Sequence, residues 1–477
     1  MLISVFFMFW RYDRSPLSLL SQEGCVGLSA LQVQEGDRAV IGRIWRKPLD
    51  NQRGQAAGSH SCENNPFLVY PTSWFLRWFG FGSSYLVLRL ASMLYGCLSV
   101  AMLYVLISRM FNPGAGLLAA FMLAVSPWAL GYSRVTGDYS ASVFFTLACF
   151  FVFFFLKPGR HLGCLALGFV VSLATYFYGM ARMVAPVIAL VMVVDMALVK
   201  GYFRSRYQDF LFIAIGLYLG LSVQGGGFGT YLRQNIAWDW TVFADRPAAS
   251  ARLLSNLEQT GRRLFIEWGW NEEDGMVVER SAALDPVTRW CFFIGVVWGL
   301  IRIARSPYRF LFIWLAFAML PPIITKCEFR RMCLAPVAIF AFAGVGIEHT
   351  VRLLTVRLGA CRTAVVAVLL VPLLSIIGYL NYDHYFGQYE RLPTDHLFKV
   401  RGEQRAKLIE LMRKEKVYTD IIPVETGYEE GVRFDEFRFN RPGAVVILYP
   451  EGAATAAFAR DTGPCALFLS GGRLEEK

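Results

Sequence analysis

Residues 86–156 read LVLRLASMLYGCLSVAMLYVLISRMFNPGAGLLAAFMLAVSPWALGYSRVTGDYSASVFFTLACFFVFFFL, and this stretch decides the fold. It holds three apolar runs, 86–108, 115–133 and 139–156, parted by Arg109 on one side and by Arg134 and Asp138 on the other. A helix needs about 20 apolar residues to cross a bilayer, because lipid offers a bare backbone no hydrogen-bond partner. Three such runs in a row predict three consecutive spans. Working outward, further runs lie at 161–179, 183–199 and 208–224, and after a long polar interval at 290–304, 308–325, 333–347 and 363–381. The opening MLISVFFMFW precedes Arg11 and is ten residues long. As a helix it reaches about 15 Å, against a hydrocarbon core of about 30 Å. It reads as the outer part of an incomplete first span, with the chain start cytoplasmic or within the bilayer. A signal peptide fits less well, since no basic n-region precedes the apolar run. The expected architecture is an all-α polytopic membrane protein of about 11 transmembrane helices.

Composition agrees. The 477 residues are 55% hydrophobic and 17% charged, whereas a soluble domain carries about 25% charged residues. Mean hydropathy is +0.43 over the whole chain. Disorder, fibrous repeats and a secreted disulfide scaffold are excluded. The net charge of +11 is explained by topology. One set of short loops holds Arg109, Lys157, Arg160, Lys200, Arg204, Arg206, Arg302, Arg305, Arg309, Arg352, Arg357 and Arg362 against Asp209 and Glu348. By the positive-inside rule this set is cytoplasmic. No nucleic-acid partner is needed to account for the charge. Residues 11–85, 131–138, 180–182, 225–289, 326–332 and 382–477 are then exterior. The expected division is a transmembrane domain over 1–381, with exterior loops 11–85 and 225–289, and an exterior domain over 382–477. In that tail, 401–416 has helical apolar spacing, while YTDIIPVE, GAVVILYP and CALFLSG read as short strands, together a small α/β unit.

Five histidines never fall at ligand spacing and ten cysteines form no CxxC pair, so no metal ligands are assigned. A divalent cation stays open as a cofactor, because oxygen-rich sites are set by geometry and not by spacing. Cys25 with Cys62, and more weakly Cys327 with Cys333, are exterior pairs that an oxidising compartment would join. EWGWNEEDG, at 267–275, reads as an exposed acidic turn.

Ionisable residues at the exterior ends of spans carry the chemistry, since charge beside lipid is costly without a use. Glu23 lies in SPLSLLSQEGCVGLSAL. Asp138 lies where one span ends and the next begins, with Arg134 four residues earlier. Arg182 lies in YFYGMARMVAP and Arg330 and Arg331 in PPIITKCEFRRMCLAP. Each has a plainer reading. Arginines at span ends snorkel to the interface, Asp138 complements a helix N-terminus, and Glu23 fits a solvated face. Together they suit another task. A carboxylate accepts the proton of an attacking hydroxyl, and guanidiniums bind phosphate oxygens in a fork and steady the charge that develops.

NPFLVYPTSWFLRWFGFGSSYLVLRLASMLYGCLSVAMLYVLISRMFNPGAGLLAAFMLAVSPWALGYSR, from Asn65, resembles the core of the integral-membrane GT-C glycosyltransferases. Within them it is similar to the branch of dolichyl-phosphate-mannose-protein mannosyltransferases and aminoarabinose transferases. The likeness continues through PPIIT, Arg330 and Arg331, and the AP…GVGIE span, covering roughly residues 15–380. The resemblance implies a polyprenyl-phosphate sugar donor, a lipid, glycan or protein acceptor on the exterior face, and a cell-membrane location with the large loops outside. It implies Asp138 and Glu23 as the catalytic carboxylates, and Arg330 and Arg331 toward the donor phosphate. Arg134 and Arg182 match recurrent arginines of the family. Gln22 stands where the family carries the first acid of a pair. Two other classes remain in view. A non-catalytic scaffold or binding subunit is favoured by Gln22. A transporter would place charges near the bilayer midplane in paired halves, whereas the acids here sit at one edge.

Overall fold

The structure, a computed structural model, describes residues 2–11, 26–27, 29–30, 33–34, 36, 38, 41, 65–79, 86–157, 159–177, 179–199, 201–223, 246–266, 283–324, 329–356, 362–387, 421–424, 445–450, 457–460, 467–470 and 473–476. They fall into two compact units, residues 1–15 with 91–391 and residues 16–90 with 392–477.

The helices in chain order are α1 (Leu2–Phe9), α2 (Pro66–Phe79), α3 (Leu86–Met110), α4 (Pro113–Val125), α5 (Pro127–Ser133), α6 (Asp138–Phe155), α7 (His161–Ser172), α8 (Val184–Leu198), α9 (Tyr202–Val223), α10 (Arg246–Phe265), α11 (Pro286–Ile301), α12 (Ser306–Ile324), α13 (Ala335–Thr355) and α14 (Arg362–Tyr382). Among the described residues six helices are long and apolar enough to cross a membrane, or seven if the bent pair α4–α5 counts as one span. This is a multi-pass helical membrane protein. Several expected spans take another form. The run 115–133 is broken by a 62° bend. Ser126 precedes Pro127 and is held extended at φ −63°, ψ 126°, because the proline ring disfavours a helical residue before it. The run 161–179 keeps α-helix only to Ser172 and continues as 3₁₀ turns over Leu173–Tyr176 and Gly179–Met183. The run 290–304 forms the 16-residue α11. The last span runs past 381 into a π-helical turn, Asp383–Gly387.

At the end that collects the short basic loops, several charges counted as loop residues are buried in ion pairs. Arg309 is 6% exposed and Asp195 3%. Asp195, inside the apolar run 183–199, accepts from Arg309 Nε at 3.0 Å and Nη2 at 2.6 Å and from Ser306 Oγ at 2.5 Å. Arg309 Nη1 also donates to the carbonyls of Ile303, at 3.3 Å, and Ala304. The pair bolts α8 to α12. Asp209 accepts from Arg206 Nη1 at 3.1 Å and from the Gly159 amide at 3.2 Å, fixing the α7 turn to α9. His349 Nε2 lies 2.6 Å from Arg302 Nη1 and 2.6 Å from Tyr308 Oη, and Nδ1 lies 2.7 Å from Glu348 Oε2. A guanidinium only donates, so Nε2 accepts and Nδ1–H points at the carboxylate. That network lets α13 stay helical past the apolar run 333–347.

Helix pairs approach closely where glycine removes the side chain, as expected where lipid supplies no hydrophobic drive and packing must. A Cβ on Gly168 of α7 would strike the Ile213 carbonyl of α9, and one on Gly216 the Leu165 carbonyl. Gly295 and Gly346 do the same between α11 and α13. Gly261 of α10 has open space around it. The same exchange to alanine should therefore have opposite signs. Gly261→Ala should stabilise by about 0.5–1 kcal/mol through helix propensity. Gly168→Ala should destabilise by about 1–3 kcal/mol through overpacking. Thermal melting of the two purified variants decides it, and equal melting temperatures would refute the close-packing account.

In the other unit, Asn65 Oδ1 accepts the Phe67 amide at 2.9 Å and opens α2, and Gln34 Nε2 donates to the Ser73 carbonyl at 2.5 Å. Its strands are β1 (Ile421–Val424), β2 (Val445–Pro450), β3 (Ala457–Arg460), β4 (Leu467–Ser470) and β5 (Arg473–Glu476). β1 pairs parallel with β2, Ile421 opposite Ile447, and β2 antiparallel with β3, Val445 opposite Arg460. β4 and β5 form a separate antiparallel pair. The expected tail helix 401–416, the EWGWNEEDG turn and Cys25, Cys62 and Cys327 lie outside the described residues.

Candidate active site

The site is built on the buried loop Arg134–Gly137 between α5 and α6. Gly137 is the extended N-cap of α6, at φ −158°, ψ 166°. Its amide donates to Ser92 Oγ of α3 at 3.3 Å, so the loop is tied to the neighbouring helix. Asp138 follows as the first residue of α6 and is 9% exposed. It is not the capping residue, and α6 has no side-chain cap. Its place in the first turn puts a carboxyl group at the positive end of the helix dipole. Ser142 Oγ donates back to its backbone carbonyl at 2.5 Å.

Arg134 terminates α5, its amide donating to the Leu130 carbonyl at 2.9 Å. Its side chain is wholly buried, so it does not snorkel to the surface. The guanidinium carbon lies 5.5 Å from the centre of the Tyr385 ring and 5.2 Å from that of Phe386. Ring faces are negative and hold a desolvated cation. Tyr385 and Phe386 come from the π-helical turn after α14 and pack with Met8, Cys97 and Leu130. Tyr132 and Tyr139, flanking the loop on either side, have ring centres 4.8 Å apart.

Arg182 sits half-buried in the 3₁₀ turn Gly179–Met183, which touches α6, α12 and the 3₁₀ turn Phe329–Met332. Phe177, just before it, stacks on Phe145 of α6 at 4.4 Å. The turn Phe329–Met332 carries Arg330 and the half-buried Arg331. The backbone segments of Arg182 and of the Arg330–Arg331 pair therefore meet, at the same end of the helices as Asp138. Glu23 and Gln22 lie outside the described residues, as does the side chain of Arg330. Cys333 is a buried free thiol. The described residues show no group of three or more His, Cys, Asp or Glu side chains placed to hold a metal.

Ser92, Tyr385 and Phe386 were not singled out by sequence reading. Ser92 is one hydroxyl inside an apolar run, and YDHYFG carries two ionisable residues that end the apolar pattern. The one available signal was the aromatic density of YLNYDHYF at a span end.

Comparison with known proteins bears on this region directly. Residues 65–223 match the family model of dolichyl-phosphate-mannose-protein mannosyltransferase. No curated protein matches. Among solved structures, the chain is similar to the oligosaccharyltransferase AglB of Archaeoglobus fulgidus in complex with an inhibitory peptide and a dolichol-phosphate, at 16% identity and a TM-score of 0.49. That likeness covers 80% of this chain and 54% of AglB, so this chain spans about half of the archaeal enzyme's length. ArnT of Cupriavidus metallidurans bound to undecaprenyl phosphate gives 12% identity and 0.48 over 89% of this chain and 81% of ArnT. Its apo form gives 13% and 0.48 over 96% and 94%. Such scores assign no residue a role. The sequence match spans the loop of Arg134 and Asp138, and over that part the chain is similar to the dolichyl-phosphate-mannose-protein mannosyltransferase family.

Proposed function

We propose that this protein is a membrane glycosyltransferase that moves a sugar from a polyprenyl-phosphate donor to an acceptor on the exterior face. The observation that carries this reading is the loop Arg134–Asp138. A buried cation and a carboxylate at a helix N-terminus stand four residues apart within the segment matched to the mannosyltransferase family. AglB in complex with a dolichol-phosphate and ArnT bound to undecaprenyl phosphate each hold the lipid-phosphate part of such a donor. The reaction in this reading is a single inverting displacement. The base takes the proton of the acceptor hydroxyl, the acceptor oxygen bonds to the anomeric carbon, and the bond to the lipid phosphate breaks with its electron pair on the phosphate. Asp138 is the favoured base, Glu23 the second carboxylate, Arg330 or Arg331 the first phosphate ligand, and Arg134 and Arg182 further candidates for the donor phosphate. The basic loops are cytoplasmic, which puts Asp138, the loop 225–289 and the α/β segment beyond residue 382 outside the cell membrane.

Purified protein incubated with a panel of polyprenyl-phosphate sugars tests the reading. Transfer releases free lipid phosphate, and no release from any donor with lipid, glycan and peptide acceptors would count against it. Arginine grips phosphate with a planar fork that lysine lacks. Arg331→Lys or Arg330→Lys should therefore weaken donor binding, and the Ala variants should weaken it further. Unchanged donor affinity in both Ala variants removes these residues from the phosphate site.

A further inference from the structure

We infer that α10 is an in-plane helix that docks the exterior loop on the lipid surface, through Leu254 and Leu257. The argument is independent of the sugar chemistry. Helices α11 and α12 are consecutive and joined by residues 302–305 alone, so the start of α11 and the end of α12 lie at one membrane face. Helix α10 is anchored at both places. Asn256 Nδ2 donates to the Ile323 carbonyl at 3.0 Å, closing an open carbonyl in the last turn of α12. The carbonyls of Arg263 and Leu264 accept the amides of Ala283 and Leu284, at 3.0 and 3.3 Å, just before α11 begins. Between Asn256 and Phe265 the helix covers about 14 Å. It thus runs from one span end to the other, across the bundle and not along it.

Thr260 and Leu264 face inward and are buried. Leu254 and Leu257 are 67% and 50% exposed. With Phe265 they fall in an arc of about 80° at 100° per residue. Phe265 packs on Phe293 with ring centres 5.3 Å apart, and Phe293 is itself 41% exposed on the outer side of α11. Beside it in the first turns of α11 stands Trp290, 68% exposed, a residue type that settles at the headgroup level. The exposed leucine arc is therefore continuous with the lipid-facing surface of an apolar helix. That continuity identifies the occupant as lipid. Glu258 and Arg262, paired at 3.2 Å and both exposed, mark the watery side. At the same 100° per residue Glu258 and Arg262 lie about 40° and about 80° from Leu254, on the side away from Leu257, so an apolar strip and a charged strip run side by side, as on a helix lying at an interface.

The full chain in phosphatidylethanolamine–phosphatidylglycerol liposomes, carrying a photoreactive phenylalanine at one site, tests this. Probes replacing Leu254 or Leu257 should gain the mass of one phospholipid on irradiation, and probes replacing Glu258 or Arg262 should not. Absence of lipid adducts at both leucine sites overturns the proposal. So does a covalent dimer formed there, which would mean a second copy covers the arc. Hydroxyl-radical footprinting of the unsubstituted chain in the same liposomes gives a reading free of any substitution. Protection of Leu254 and Leu257 supports docking, and oxidation of both overturns it.

Discussion

Replacing Asp138 with Asn should lower sugar transfer by about two orders of magnitude or more, since loss of a general base typically costs 10² to 10⁴ in rate. Donor binding should stay nearly intact, because in the proposed reaction the carboxylate serves the acceptor and not the phosphate. The exchange is isosteric, and the first turn of α6 loses a charge worth only about 0.3–1 kcal/mol against the helix dipole. Melting temperature therefore separates lost chemistry from lost fold. Measuring lipid-phosphate release at saturating donor beside donor affinity checks both halves of the expectation. Glu23→Gln is the companion variant, as Glu23 is the other carboxylate placed by the family pattern. If both variants turn over at the parental rate, neither carboxylate is the base and the scaffold reading is preferred. Gln22→Asp restores the family's first acid. A large gain there would mark the native chain as a specialised or impaired member.

The second large effect is on stability. Arg309→Met should destabilise the protein by about 3–5 kcal/mol, because it leaves Asp195 buried without its partner. The pair is not replaceable from solvent, since both side chains are under 10% exposed and the carboxylate meets Nε and Nη2 together. Asp195→Leu combined with Arg309→Met should recover much of the loss, as apolar replacements of a whole buried pair are often neutral. Recovery will be incomplete, because the carbonyls of Ile303 and Ala304 lose the donor that Arg309 Nη1 supplies. Thermal or denaturant unfolding of the two singles and the double forms a cycle. A double variant no better than Arg309→Met alone would mean that the pair is not coupled in this way.

How much was legible varies by physical cause. Apolar runs locate helices because a span must satisfy its own backbone within lipid, and 86–108, 139–156 and 308–325 became α3, α6 and α12 within a few residues. Where hydropathy stays high but the backbone is interrupted, the pattern misleads. The run 115–133 reads as one span, yet it bends by 62° at Pro127, and the short helix after the bend ends at the buried Arg134. Charge was read by position in the chain, which placed Arg309 in a loop and could not pair it with Asp195 in the run 183–199. Both are interior, because each neutralises the other across two helices that are more than a hundred residues apart in sequence.

By itself the sequence determined a polytopic helical protein, the side on which basic loops collect, and the opposite span ends where Arg134, Asp138, Arg182 and Arg331 sit. These follow from hydropathy and charge, which are local properties of a run of residues. Only the tertiary structure decided that Arg134 is wholly buried against the rings of Tyr385 and Phe386, that Ser92 holds the Asp138 loop through Gly137, and that the Arg182 turn meets the turn of Arg331. Each of those is a contact between elements far apart in the chain. Such contacts depend on which helix faces meet, and no periodicity within one helix specifies its neighbour.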